Sequence, residues 1–308
     1  MALFPPDKLF LIAGPCILES DDLNRRVADH LASLAHLLPG GVIFKASFDK
    51  ANRSNAGAAR GPGIDSGLET LAKVRAATGL SLLTDVHLPD QCAPAADVVD
   101  VLQIPAFLCR QTDLLVTAGK TGKAVNVKKG QWMHPEGMKG AVDKVRGART
   151  VLPERRKRSA LGAPPGHPER RERLGPAAKK AALELGTPGS ATGEIAVTER
   201  GSFFGYGDLV VDMRSFARLR AACNVPIIFD ATHSVQRPGQ GADGSSGGAR
   251  EFIPPLLFAA CAAGADALFI ETHPDPDNAP SDGPNMLSLT ELESLIKRAV
   301  DIWDRARR

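Results

Sequence analysis

Aromatic side chains are scarce in this chain, with one Tyr, two Trp and twelve Phe among 308 residues. That argues against a β-sandwich core built on rings and suits Ala-rich helices packed on Val, Ile and Leu strands. Long apolar runs are also lacking. The nearest approach to the roughly 18 residues of a membrane span is Ile253 to Ile270, which Pro254-Pro255, Gly264 and Asp266 interrupt. The first residues carry no basic head followed by an apolar stretch, so no signal peptide is expected. The cysteines, at positions 16, 92, 109, 223 and 261, are odd in number and scattered. They read as reduced thiols and not as a disulfide framework. Neither sign of charge dominates, with 38 Lys+Arg against 35 Asp+Glu. The composition is that of a soluble, cytoplasmic globular protein, and the length fits one α/β barrel spanning residues 1–308.

Short apolar runs of strand length recur along the chain: Leu9–Ala13, Val42–Ala46, Ser81–Val86, Val101–Ile104, Ala124–Val127, Ile195–Thr198, Pro226–Phe229 and Ala267–Ile270. Several are apolar at nearly every position, as in parallel strands covered on both faces. Helical stretches alternate with them, among them Asp22–Leu38, Gly67–Thr78, Gln111–Thr117, Gly137–Gly147, Ser215–Ala222 and Phe252–Ala263. The alternation implies right-handed crossovers, and eight strands in series imply a closed (β/α)8 TIM barrel over an open sheet.

Each strand ends in groups capable of chemistry: Cys16, Lys45, Asp85 with His87, Gln103, Lys128-Lys129, Glu199-Arg200, Asp230 with His233, and Glu271 with His273. Loop exposure alone explains one or two such ends but not all eight. In a barrel the carboxyl ends of the strands form the rim of the active site. Residues 150–193 break the pattern, being basic, rich in Pro and Gly and poor in large apolar side chains. The segment reads as a solvated, flexible insertion between the fifth helix and the sixth strand, on the amino-terminal face away from the chemistry, and no nucleic-acid partner is expected.

Lys45, Lys50, Arg53 and Ser54 leave the second strand together, and Lys128, Lys129 and Arg200 join them from other strand ends. This predicts a cationic rim for substrates with more than one anionic group. Cys16, His233, Glu271 and Asp282 sit at or beyond the ends of the first, seventh and eighth strands, which are neighbours in a closed barrel. A thiolate, an imidazole and two carboxylates suit a divalent transition metal better than Mg. Cys92, Cys109, Cys223 and Cys261 have no such setting and read as structural.

At these positions the sequence resembles the 3-deoxy-D-manno-octulosonate 8-phosphate synthases. The resemblance rests on Ile12-Ala-Gly-Pro-Cys16, Phe44-Lys-Ala-Ser-Phe-Asp-Lys-Ala-Asn-Arg-Ser54, Thr84-Asp-Val-His87 and Asn126-Val-Lys-Lys-Gly-Gln131. It continues through Thr198-Glu-Arg-Gly-Ser-Phe-Phe-Gly-Tyr206, Phe229-Asp-Ala-Thr-His233 and Glu271-Thr-His-Pro-Asp275, failing only across the basic segment. The Lys50-Ala-Asn-Arg-Ser54 loop separates that family from the related 3-deoxy-D-arabino-heptulosonate 7-phosphate synthases, whose loop is of the Lys-Pro-Arg-Thr/Ser type.

The resemblance implies a transferase that condenses phosphoenolpyruvate with arabinose 5-phosphate, an early step toward the lipopolysaccharide sugar Kdo. Carried over by position, it implies Arg53 and Ser54 on the sugar phosphate and Asn52 on the sugar. Lys45, Lys128 and Arg200 would surround phosphoenolpyruvate, with Gln103 and Ala106 lining its pocket and Lys50, Asp85 and His87 between the substrates. His233 is counted both with these catalytic groups and among the metal ligands. The family has a metal-independent branch with Asn where this chain has Cys16, and usually Cys-Asp where it has Ser281-Asp282. The resemblance therefore implies the metal-dependent branch, using Zn, Fe, Mn, Co or Cd, in a homotetramer. The competing expectation is a heptulosonate-type synthase using erythrose 4-phosphate.

Overall fold

The computed structural model of the protein describes residues 2–51, 60–150, 194–204, 207–241 and 246–307. Eight parallel strands close on themselves: β1 (Phe10–Gly14), β2 (Val42–Lys45), β3 (Ser81–Asp85), β4 (Val101–Ile104), β5 (Ala124–Lys128), β6 (Ile195–Glu199), β7 (Ile227–Asp230) and β8 (Ala267–His273). Each pairs with its neighbour in sequence, and β8 returns to β1 with Gly14 opposite Glu271. This is the (β/α)8 barrel that the strand–helix alternation implies. Around it, among the described residues, lie α1 (Asp21–Leu34), α2 (Ile64–Thr78), α3 (Cys92–Val98), α4 (Thr112–Lys120), α5 (Lys139–Thr150), α6 (Ser215–Cys223), α7 (Ile253–Ala262) and α8 (Leu289–Ala306). None of the described helices is long and apolar enough to cross a membrane. All five cysteines are buried and free.

The differences from the sequence reading have local causes. Helix α2 begins three residues earlier than expected, at Ile64, and runs straight through Gly67. A Cβ at Gly67 would stand 2.3 Å from Phe48 Cβ, so glycine is there for close packing on the β2 loop and not to break the helix. Helix α1 stops at Leu34 and tightens into a 3-10 turn over Ala35–Leu37, where a longer helix was expected. Ser20 caps its start by accepting from the Leu23 N–H. Helices α3 and α8 lie outside the sequence expectation. Helix α8 is amphipathic, burying Leu292, Ile296 and Ala299 against the barrel. Strand β8 is three residues longer than expected, so Glu271 and His273 are strand residues.

Two apolar layers result. One fills the space between strands and helices; the other, including Phe10, Ile12, Leu83 and Phe269, fills the barrel. Phe4 stacks on Phe10 at 5.6 Å and belongs to that inner layer. The N–H groups of Leu3 and Phe4 donate to the carboxylate of Glu194, just before β6. The expectations for residues 150–193 fall outside the described residues except at Thr150. The last turn of α5 and the start of β6, which flank the segment, lie at the amino-terminal ends of the strands.

At the other end, Gly14 turns the chain out of β1 with φ +155°, and a Cβ there would sit 2.0 Å from the Lys45 carbonyl oxygen. Gly14→Ala is therefore expected to force apart the strand ends that carry Cys16 and Lys45. We expect a loss of about 2 kcal/mol or more of stability, measurable by denaturant melting, together with loss of function.

Candidate active site

Alternation along each strand decides what reaches the mouth. Ile43, Leu83, Val101, Ala124, Ala196, Ile228 and Phe269 fill the barrel interior. Residues an even number of places further on therefore also point inward: Lys45, Asp85, Gln103, Lys128, Arg200, Asp230 and Glu271. All of these are buried. Their odd-numbered-offset neighbours Val127 and Val197 pack toward the helices.

The same parity corrects one expectation. Lys129 does not join the cationic rim. It is buried against Glu199, with Nζ 3.3 Å from Oε1. It also donates to Ser202 Oγ at 3.1 Å and to the carbonyls of Gly201 and Met133. Lys129 thus ties the loop after β5 to the loop after β6, while its neighbour Lys128 faces the mouth.

The expected surplus of positive charge is also smaller than the sequence implies. Lys45 Nζ lies 2.5 Å from Glu271 Oε1 and donates to the Cys16 carbonyl at 2.9 Å. Lys128 Nζ lies 2.7 Å from Asp230 Oδ2, and Lys50 Nζ lies 3.7 Å from Asp282 Oδ2. Arg200 donates to the His233 carbonyl and to Gln236 Oε1. Each cation is thus held beside an acceptor. Burial lowers the pKa of Lys128 and of Arg200, even against the pull of Asp230. Burial would raise Asp85, but Lys45, Lys128 and Lys50 outweigh it and hold the carboxyl well below the usual range. Lys128 also rests over the Phe269 ring, 3.8 Å from its centroid, with Lys45 at 5.6 Å. Nothing in the sequence marks Phe269 as more than an ordinary strand residue.

Cys16, Glu271 and Asp282 offer ligand atoms that all lie within 4.8 Å of one another. The Cys16 thiol donates toward Asp282 Oδ2 at 3.0 Å and Ser281 Oγ at 3.1 Å. His233 stands beside this trio, with Nε2 3.8 Å from Glu271 Oε1. Its Nδ1 lies 2.9 Å from Asp230 Oδ2. A proton on Nδ1 donates to the Asp230 carboxylate, and Nε2 is the ring nitrogen that faces Glu271.

This donor set fits a cation. Glu271 Oε2 is buried with no hydrogen-bond partner, and the imidazole Nε2 lies 3.8 Å from Oε1 of the same carboxylate. Burial, then Asp282 and Glu271, push the Cys16 thiol well above its ordinary value. A divalent ion held among the same groups would reverse that balance and favour the thiolate.

The remaining site residues divide. His87 is mostly buried, edge-on to Phe48 at 6.3 Å, and burial lowers its pKa. Its Nδ1 has no partner. Ala106 opens a 3-10 turn after β4. Gln103 donates to Asp85 Oδ1 at 2.9 Å, so its amide serves the carboxylate directly. Asn52, Arg53 and Ser54 lie outside the described residues. His273 pairs with Glu19 at 3.1 Å. Asp230, read from the sequence only as a strand-end group with no assigned role, holds His233 and Lys128, and Gln236, not named there, holds Arg200 and Asp282. For Asp230 a signal existed, because it closes a strand two places beyond an inward apolar residue.

The family model described as the DAHP synthetase I family matches residues 6–305. Among similar curated proteins is the 2-dehydro-3-deoxyphosphooctonate aldolase of Nitrobacter winogradskyi, 48% identical over 290 residues, or 94% of this chain and 86% of that protein. The protein of the same name from Trichlorobacter lovleyi is 47% identical over 290 residues, covering 94% of this chain and 90% of the relative. Its namesake from Desulfotalea psychrophila is 45% identical over 294 residues, covering 96% and 89%.

Proposed function

The chain belongs to the DAHP synthetase I family, and on that footing we propose that it condenses phosphoenolpyruvate with D-arabinose 5-phosphate and water. The products are 3-deoxy-D-manno-octulosonate 8-phosphate and inorganic phosphate. The observation that carries this reading is the meeting of Lys45, Lys128 and Arg200 with the Cys16–Glu271–Asp282 trio in one mouth. The relatives' shared name and the Lys50-Ala-Asn-Arg-Ser54 loop favour the eight-carbon product over the heptulosonate alternative.

In this reading Lys45, Lys128 and Arg200 bind the carboxylate and phosphate of phosphoenolpyruvate, against a wall that includes Ala106 and Gln103. Asn52, Arg53 and Ser54 take the sugar and its phosphate. C3 of phosphoenolpyruvate attacks the aldehyde carbon, the aldehyde oxygen gains a proton, and water adds to C2. The C2–O bond of the resulting hemiketal phosphate then breaks, releasing phosphate and leaving the ketone. Fixing both substrates supplies much of the rate, and the buried cations stabilise charge where water would screen it. His87, whose pKa burial lowers, is in this reading the group that accepts the proton of the attacking water. Asp85 and Lys50 stand with it between the substrates, and His233 acts from the metal side. Cys16, His233, Glu271 and Asp282 would hold a divalent transition ion, which supplies Lewis acidity when bound.

Two coarser properties follow the same reading. Phe107 stacks on Trp132 at 5.6 Å, both about half-exposed, with exposed Leu88, Phe203 and Phe204 on other mouth loops. This supports burial of the rim in a homotetramer, which sedimentation measures. No helix among the described residues is long and apolar enough to cross a membrane, and a cytoplasmic enzyme with residues 1–308 as one catalytic barrel belongs to the same reading.

Phosphate release with phosphoenolpyruvate and either aldose phosphate tests the activity. Arabinose 5-phosphate is expected to exceed erythrose 4-phosphate in kcat/KM by about 100-fold, as a site that hydrogen-bonds an extra hydroxyl discriminates. A preference for erythrose 4-phosphate overturns the assignment.

A further inference from the structure

One chain of side chains crosses the barrel beneath the mouth without reaching the metal ligands. Strand register sets Asp85 opposite Gln103 and Gln103 opposite Asn126. Gln103 Nε2 donates to Asp85 Oδ1 at 2.9 Å, and Asn126 Nδ2 donates to Gln103 Oε1 at 2.8 Å. Thr198 Oγ1 donates to Asn126 Oδ1 at 2.8 Å. From the other side, Ser47 Oγ donates to Asp85 Oδ2. Gln103, Asn126 and Thr198 are wholly buried.

The direction of every bond in this chain follows from one charge. An ionised carboxylate only accepts, so Gln103 must turn its NH2 to Asp85 and its oxygen to Asn126. Asn126 must then turn its NH2 to Gln103 and its oxygen to Thr198, which must donate. Reversing either amide sets oxygen against oxygen. Such aligned bonds polarise one another, and each broken link leaves a buried polar atom unpaired. Apolar residues would fill these inward positions equally well for packing, as Ala124 and Ala196 do one step below.

We propose that Asn126 and Thr198 are positioning residues for the reaction, acting through Gln103 to hold the Asp85 carboxylate in one orientation. The proposal rests on the condensing activity described above and assigns a role to two residues that touch no substrate. An anion adds no affinity for anionic substrates, so the effect of disturbing it falls on kcat and leaves KM alone.

The test compares Thr198→Val, isosteric but without the donor, with Thr198→Ser, which keeps it. Asn126→Asp, isosteric but unable to donate, is the third variant. Each is assayed with phosphoenolpyruvate and arabinose 5-phosphate at equal metal content, alongside its thermal midpoint. Thr198→Val is expected to lower kcat about tenfold, the equivalent of about 1.4 kcal/mol, and Thr198→Ser less than about twofold. Asn126→Asp, which sets a second acceptor against the Gln103 oxygen and breaks the chain at its middle link, is expected to lower kcat about 100-fold. KM for phosphoenolpyruvate stays within about twofold in the two Thr198 variants, whereas Asn126→Asp, which adds a negative charge next to Gln103, is read on kcat alone. The proposal is overturned if Thr198→Val and Thr198→Ser behave alike, or if the losses appear in KM instead of kcat. Should Asn126→Asp fail to fold, the Thr198 pair decides by itself. A wild-type chain that turns over neither substrate pair defeats the assigned activity, whereas an active wild type with indistinguishable Thr198 variants defeats only this inference.

Discussion

Stripped of metal by a chelator, the protein is expected to lose turnover by at least about 100-fold and to recover it with Mn, Fe, Co, Zn or Cd, but poorly with Mg. The expectation rests on a thiol and two carboxylates whose ligand atoms lie within 4.8 Å of one another, with an imidazole nitrogen 3.8 Å from one of them. One oxygen of Glu271 has no partner at all. Mg prefers oxygen ligands and its waters, so a sulfur at Cys16 disfavours it. Cys16→Ala should abolish both bound metal and most turnover. Cys261→Ala should keep both, because Cys261 lies in α7, within the layer between strands and helices. Metal content by elemental analysis, read beside phosphate release, checks each variant. Full turnover in a rigorously metal-free preparation would falsify the metal assignment.

Lys129→Met is expected to cost stability on a scale that few single changes reach. Glu199 lies 1% exposed, its Oε2 has no partner, and Lys129 is the only cation paired with it among the described residues. Removing that cation leaves a buried carboxylate uncompensated, a loss of about 3–5 kcal/mol. For a chain of this size that lowers the melting midpoint by roughly 10 °C. Replacing both partners, as Lys129→Met with Glu199→Gln, should recover most of the loss, because a neutral amide can still accept from the Gly201 N–H that Glu199 Oε1 now binds at 2.7 Å. If the double variant is no more stable than Lys129→Met alone, the ion pair is not what the single change breaks. Calorimetry on the two variants separates these outcomes.

The pairing also shows where reading the sequence stops. Lys128-Lys129 looks like one basic step at a strand end, yet the two lysines serve opposite faces. Alternation alone could have separated them, since Ala124, Asn126 and Lys128 share a parity and Val125, Val127 and Lys129 the other. What alternation could not supply is the partner. Glu199 faces Lys129 across the neighbouring strands β5 and β6, whereas Asp230 meets Lys128 inside the barrel from β7, across β6. The rim was read as cationic for the same reason: Asp230, Glu271 and Asp282 are as visible in the sequence as Lys128, Lys45 and Lys50, but their one-to-one placement beside them is not. Gly67 shows the converse, where a residue that locally suggests a helix break is set by contact with Phe48.

By itself the sequence determined the alternation of buried strands with helices, their number, and the chemical character of every strand end, because periodicity and turn residues act over a few neighbours. It also set Cys16 directly after the first strand. Only the tertiary structure decided which groups meet: Lys45 with Glu271 across 226 positions, Cys16 with Ser281 across 265, and Thr198 with Asn126 across 72. Those meetings depend on barrel closure and strand register, which arise from the packing of all eight strands together and leave no mark on any one of them.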